Sequence, residues 1–192
     1  MSRSTRVTLI CHGPTSAAKS SGFPADEPLL EGETVLARRI RASLSHAHAF
    51  LSAPEHRTRQ TAALLTGEFV LDSAFRDVDY GRWAGKSLAE VQEVEPENLL
   101  AWISDTEAAP HGGESVAAAI ARTSAWLAVQ MSAGGHAVVT THPAIVRAAV
   151  VSILDAPKES FWKIDVRPWS MTELTSDGRR WALRSFGHVP DE

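Results

Sequence analysis

A single cysteine, Cys11, serves a chain of 192 residues. That excludes an internal disulfide framework and any cysteine-only zinc site built by one chain. A reducing compartment, the cytoplasm, fits this usage. Positive charge is not in excess either: the formal net charge is -4 at pH 7, so nothing favours a nucleic-acid backbone as partner. Long apolar runs are also lacking. The first one ends after five residues at Cys11-His12, too short for a signal-peptide core, and the stretch 137–154 is interrupted by His142, Pro143 and Arg147. No membrane span is expected. There is no internal repeat or long linker, and the length suits one domain over residues 1–192. A glycine-rich Walker loop and an H-E-x-x-H motif are missing, which disfavours nucleotide hydrolases of that kind and zinc peptidases.

The strongest positive signal is Val7-Thr8-Leu9-Ile10-Cys11-His12-Gly13-Pro14-Thr15. It reads as a buried strand that delivers an imidazole to the rim of a sheet, where open α/β sheets keep their ligands. Residues 16–28 are polar and rich in small residues, as in a loop over a site. Leu36, Ile40 and Leu44 stand four apart and predict an amphipathic helix over 31–46. A strand over 49–53 follows, then a helix that opens with Pro54 and Glu55 and carries Arg57. Phe69-Val70-Leu71 reads as a short third strand, and 75–85 as an irregular glycine-punctuated loop. Helices are expected over 87–103 and 114–131. The clearest central strand, Ala137 to Thr141, passes through His142-Pro143 into a helix, and the tail from Trp169 to Phe186 reads as a hairpin.

Two strands thus hand a histidine to a strand-to-helix turn, and in one parallel sheet such turns share an edge. The candidate site is His12, Arg57, Asp77 and His142, with Glu114 and Ser115 at a helix start. Two imidazoles, a guanidinium and an acid suit phosphoryl transfer: a neutral imidazole attacks phosphorus, cations hold the oxygens, and a carboxyl group moves the proton. His46 and His48 form an H-x-H pair without further ligands nearby and read as solvated surface, so no metal site is expected.

The chain resembles the histidine phosphatase superfamily, also called phosphoglycerate mutase-like, over nearly its whole length. The family's Arg-His-Gly-x-Thr is similar to Cys11 through Thr15, and its Ser-Pro-x-x-Arg-x-x-Gln-Thr-Ala to Ala53 through Ala62. Its acidic loop is similar to Asp77 through Gly85, its Gly-Gly-Glu-Ser to Gly112 through Ser115, and its strand ending in the second histidine to Val138 through His142. The resemblance implies a three-layer α/β/α sandwich with a mostly parallel central sheet. It implies that His12 becomes phosphorylated, that Arg57 and His142 bind the phosphoryl group, and that Asp77 donates the proton and later acts as base for water. Cys11, Gly13, Thr15, Glu114 and Ser115 would line the substrate, which is a small phosphorylated molecule, with no metal or other cofactor.

Two positions depart from the family pattern. Cys11 stands where the family has its first arginine, and Ala18 where many members carry a phosphate-contacting asparagine. A thiol offers one weak donor in place of a charged fork. Losing one charge-assisted hydrogen bond costs about 1.5–3 kcal/mol, or about tenfold to hundredfold in rate if the bond matters in the transition state. Cys11 is expected to stay protonated, and Lys19, Arg59 and Arg82 are the candidate replacement cations. The departures leave a second class open beside the phosphomonoester hydrolase: a weakened or inactive member that binds a phosphorylated ligand or serves as a scaffold.

Overall fold

The computed structural model describes residues 4–30, 34–44 and 46–190. In chain order the elements are β1 (Thr5–Cys11), α1 (Ser16–Lys19), α2 (Thr34–Ser43), β2 (Ala49–Ser52), α3 (His56–Leu65) and β3 (Val70–Leu71). There follow α4 (Leu88–Val94), α5 (Pro96–Ser104), α6 (Val116–Gln130), β4 (Gly135–Thr141), α7 (Pro143–Ile153), β5 (Met171–Ser176) and β6 (Trp181–His188). The strands form one sheet in the order β3-β2-β4-β1-β5-β6. The pairs β3/β2, β2/β4 and β4/β1 are parallel, whereas β1/β5 and β5/β6 are antiparallel. This is an α/β fold with a mixed sheet, parallel on the side that carries the candidate residues.

Strand periodicity splits the core into two layers. Val7, Leu9 and Cys11 of β1, Val139 of β4 and Leu174 of β5 point to one face, where they meet Leu127 of α6 and Ile145, Val146 and Ala149 of α7. Ile10, Val138 and Met171 point to the other, against Ala37 and Ile40 of α2 and Leu65 of α3. Both faces of β1 and β4 are therefore covered, which is why these segments are apolar almost throughout. A further apolar cluster, built from Phe23, Trp83, Leu99, Trp102, Val116, Ile120 and Phe161, packs with Ala144, Ala148 and Val151 of α7.

Several expected boundaries shift for identifiable reasons. The helix expected over 87–103 is two helices, because Pro96 has no N–H to donate and starts α5 while Glu95 ends α4. The loop expected over 16–28 begins with the helical turn α1, capped by Thr15, whose Oγ1 accepts from Ala18 N. The helix expected over 31–46 is observed as Thr34–Ser43, and residues 31–33 lie outside the described residues. Trp169, expected in the hairpin's first strand, has φ 63°, so β5 starts two residues later. Among the described residues no helix is long and apolar enough to cross a membrane.

Candidate active site

The register explains how distant histidines meet. Cys11 pairs with Thr141 across the parallel β1/β4 ladder, so the next residues, His12 and His142, leave adjacent strands side by side. Their ring centroids are 5.3 Å apart at an interplanar angle of 65°. Ser52 of β2 pairs with Thr140 of β4, and the chain then turns through Pro54 into α3, placing Glu55 and Arg57 at the same edge. Asp77 arrives from the loop that follows β3.

His12 is 5 % exposed and lines a cavity of about 480 Å³. Its Nδ1 lies 2.7 Å from the carbonyl oxygen of Gly13. A carbonyl only accepts, so Nδ1 carries the proton and Nε2 keeps the lone pair. Burial, helped by the neighbouring His142, pushes the His12 pKa from 6.5 down to about 3, which leaves the ring neutral near pH 7. Gly13 holds this arrangement from both sides: its N–H donates to Thr61 Oγ1 at 3.1 Å. A Cβ at Gly13 would stand 3.0 Å from the Trp169 indole, so a side chain there has no room unless the indole moves. Both polar groups of Gly13 are thus spent on positioning His12.

Behind His12 lies a largely buried polar cluster. Arg57, 1 % exposed, donates from Nη2 to Asp77 Oδ2 at 2.6 Å and from Nε to His142 Nδ1 at 3.3 Å. Its Nη1 donates to the carbonyl oxygen of Ala25, and Glu27 Oε2 lies 3.9 Å away. Because arginine only donates, His142 Nδ1 accepts and its proton sits on Nε2, 2.8 Å from Glu55 Oε2. Glu55 Oε1 also accepts from the backbone N–H of Asp77 at 3.0 Å. Burial pushes the Glu55 carboxyl up, but the hydrogen bonds from His142 and the Asp77 N–H outweigh it and hold the group at about 2.

Glu55 escaped the sequence reading, which took it only as an acid in the first turn of a helix. The signal that could have found it is its place two residues before Arg57, just past the end of a parallel strand. Arg147 was missed as well. It lies on α7 five residues after His142, lines the cavity, donates from Nε to the carbonyl oxygen of Ile164 at 2.8 Å and rests 5.6 Å from the centre of the Phe161 ring. The structure offers it no carboxylate among the described residues.

The other expected residues are placed as follows. Thr15 is buried and lines the cavity. Cys11 is fully buried, and burial pushes its thiol well up, so it stays protonated. Its side chain packs in the apolar layer with Val7 and Leu9 and does not line the cavity. Glu114 and Ser115 stay outside the cavity lining too. Both Glu114 oxygens are taken by Arg122, at 3.0 and 2.7 Å, and Arg122 in turn donates to the carbonyl oxygens of Ala74 and Arg76. That network braces the loop that presents Asp77. Ser115 caps α6 through Ala118 N. The loops touch closely: Gly81 has φ 48°, and a Cβ there would stand 2.3 Å from the carbonyl oxygen of His111. Of the replacement cations, Lys19 and Arg59 are exposed, and Arg82 is paired with Glu95. Among the described residues no group of three or more His, Cys, Asp or Glu side chains is placed to hold a metal ion.

The sequence pattern described as "Histidine phosphatase superfamily (branch 1)" matches residues 7–188. The chain belongs to the histidine phosphatase superfamily. Proteins similar to it include a bifunctional protein of Mycobacterium tuberculosis, 27% identical over 188 residues that cover 91% of this chain. The chain spans about half the length of that relative, 51%. Phosphoserine phosphatase 1 of Hydrogenobacter thermophilus is 26% identical over 81% of this chain and 78% of its own length. Among solved structures, the mycobacterial glucosyl-3-phosphoglycerate phosphatase superposes with a TM-score of 0.81 and 26% identity, covering 96% of this chain and 99% of that one.

Proposed function

We propose that this member of the histidine phosphatase superfamily is a phosphomonoester hydrolase that works through a phosphohistidine at His12. The observation that carries this is the His12 hydrogen bond to the Gly13 carbonyl, which fixes the proton on Nδ1 and leaves a neutral ring with a nucleophilic Nε2 at a cavity wall. In the first step the Nε2 lone pair forms the N–P bond while the ester P–O bond breaks and its electron pair leaves with the alcohol oxygen. In the second, water attacks phosphorus, the N–P pair returns to Nε2, and inorganic phosphate is released. Arg57 and Arg147 supply cationic donors for the phosphoryl oxygens, and His142 stands beside the transferred group. Asp77 is the carboxylate in the cavity lining, so it handles the protons. The phosphatases among the relatives support this reading, and with it go a single domain over 1–192 and a cytoplasmic location, for which the buried free thiol of Cys11 is suited.

Asp77 is clamped by Arg57, whose Nη2 donates to its Oδ2. The buried thiol of Cys11 and this clamped Asp77 also favour a second reading, a protein that binds a phosphorylated ligand without turning it over. Rapid-quench analysis with p-nitrophenyl phosphate separates the two. The hydrolase reading requires an acid-labile phosphoenzyme in the wild type and a fall of about a thousandfold or more in turnover for His12→Ala. Equal, slow phosphate release by both proteins would leave only the binder.

A further inference from the structure

Away from the strand ends, the cavity that begins at His12 is walled by Tyr80, Trp102, Phe161 and Trp162. Trp102 and Trp162 meet edge to face with centroids 4.6 Å apart, and Phe161 and Trp162 at 5.1 Å. Phe23 backs this wall against both Tyr80 and Trp102. The guanidinium of Arg147 lies over Phe161 and lines the same cavity as His12. Among the described residues the indole N–H groups of Trp102 and Trp162 have no hydrogen-bond partner. From this we infer that the substrate is an aryl phosphomonoester, its ring seated among these four side chains and its phosphoryl group at His12. The inference rests on the phosphatase reading above.

Three observations favour an aromatic leaving group over a small polar one. Rings of this number and orientation offer edge and face contacts that another ring completes, and a cavity of about 480 Å³ accommodates one with room for substituents. An amino-acid phosphate would bring an ammonium group, yet Asp77 is the carboxylate in the lining. Its oxygens are already occupied by Arg57 and by the backbone N–H of Val78. Burying an unpartnered ammonium is costly. Finally, with Oδ2 turned to Arg57 and Oδ1 to the Val78 N–H, Asp77 is poorly placed to hand a proton to the departing oxygen. A phenol, with an ordinary pKa of about 10, leaves as phenolate without that help, whereas an alkoxide does not. In the first step the P–O(aryl) electron pair therefore stays on the phenolic oxygen, which takes its proton from water. In the second, the attacking water gives its proton to Asp77, and the N–P pair returns to His12.

The test compares kcat/KM for 1-naphthyl phosphate, phenyl phosphate, ethyl phosphate and phosphoserine. The first two have leaving groups of similar acidity, so their ratio reports ring contacts alone. The expected result is a naphthyl-over-phenyl preference of about fivefold to tenfold, with phosphoserine and ethyl phosphate lowest. Trp162→Ala and the milder Phe161→Leu should each erase most of that preference. A naphthyl-to-phenyl ratio near one, or phosphoserine as the best substrate, would overturn the inference while leaving the phosphatase reading intact. Binding of 1-naphthyl phosphate to His12→Ala, followed by quenching of tryptophan fluorescence, keeps the two apart in the other direction. Quenching without hydrolysis of any ester by the wild type would sink the phosphatase reading and the substrate assignment, and spare only the aromatic pocket. Absence of quenching would remove the pocket as well.

Discussion

At one end of the cavity Arg57, Asp77, His142 and Glu55 are tied to one another by short polar contacts, whereas at the other Tyr80, Trp102, Phe161 and Trp162 touch only through ring edges and faces. In the polar end each group satisfies two others, so removing one strands its partners in a region with almost no solvent. In the aromatic end the attraction is spread over many weak contacts, and truncation costs in proportion to the area removed. The polar end should therefore fail abruptly and non-additively, and the aromatic end by degrees.

The sharpest way to break this contrast is Arg57→Ala. The substitution leaves Asp77, Glu27 and His142 facing one another without their common donor, which should cost about 3–5 kcal/mol of stability. Turnover should drop by at least about a hundredfold. Chemical denaturation followed in parallel with aryl phosphate hydrolysis measures both. A variant that loses activity at unchanged stability would show that Arg57 does not hold the cluster together.

Much of this polar end was legible in the sequence. Val7 to His12 and Val138 to His142 announce strands that end in histidine, and parallel pairing then brings those histidines together. Arg57 follows from its place in the first turn after β2. Glu55 was not legible, because its partner His142 lies 87 residues away and only the β2/β4 register aligns the two. Glu114 misled for the opposite reason: a carboxylate at a helix start looks available, but Arg122 two turns along the same helix takes both its oxygens. The aromatic end was harder still. From the sequence, Trp102 and Trp162 read most simply as core or hairpin residues, and their place in a cavity wall depends on how α5 and the turn after α7 meet. The break before Pro96, in contrast, was available from the missing N–H alone.

Glu55→Gln sharpens the contrast at intermediate scale. An amide can still accept from the Asp77 N–H through its oxygen, but its NH2 then meets the Nε2–H of His142, donor against donor. Relief requires the His142 proton to move to Nδ1, where Arg57 Nε already donates. Loss of about tenfold to hundredfold in kcat is expected, with a smaller change in KM. The 15N shifts of the His142 ring should report a changed tautomer. Unchanged shifts and rate would mean that Glu55 merely fills space.

The smallest expected effect is on pH dependence, and it isolates how the polar end treats charge. Burial lowers the His12 pKa from 6.5 to about 3, so below pH 6.5 the unfolded chain takes up a proton that the folded protein refuses. Stability associated with His12 is thus complete above about pH 6.5 and declines as pH falls toward 3. At pH 5 the decline is about 2 kcal/mol, from about 1.36 kcal/mol per unit, or a few degrees of melting temperature. Burial also lowers the pKa values of His111 and His136, so the wild-type curve alone does not single out His12. The difference does: the melting temperature of His12→Ala relative to wild type should rise on going from pH 7 to pH 5. A constant difference would mean that the folded protein admits the proton at His12 after all. The neutral nucleophile on which the phosphohistidine step depends would then be lost in the acid range.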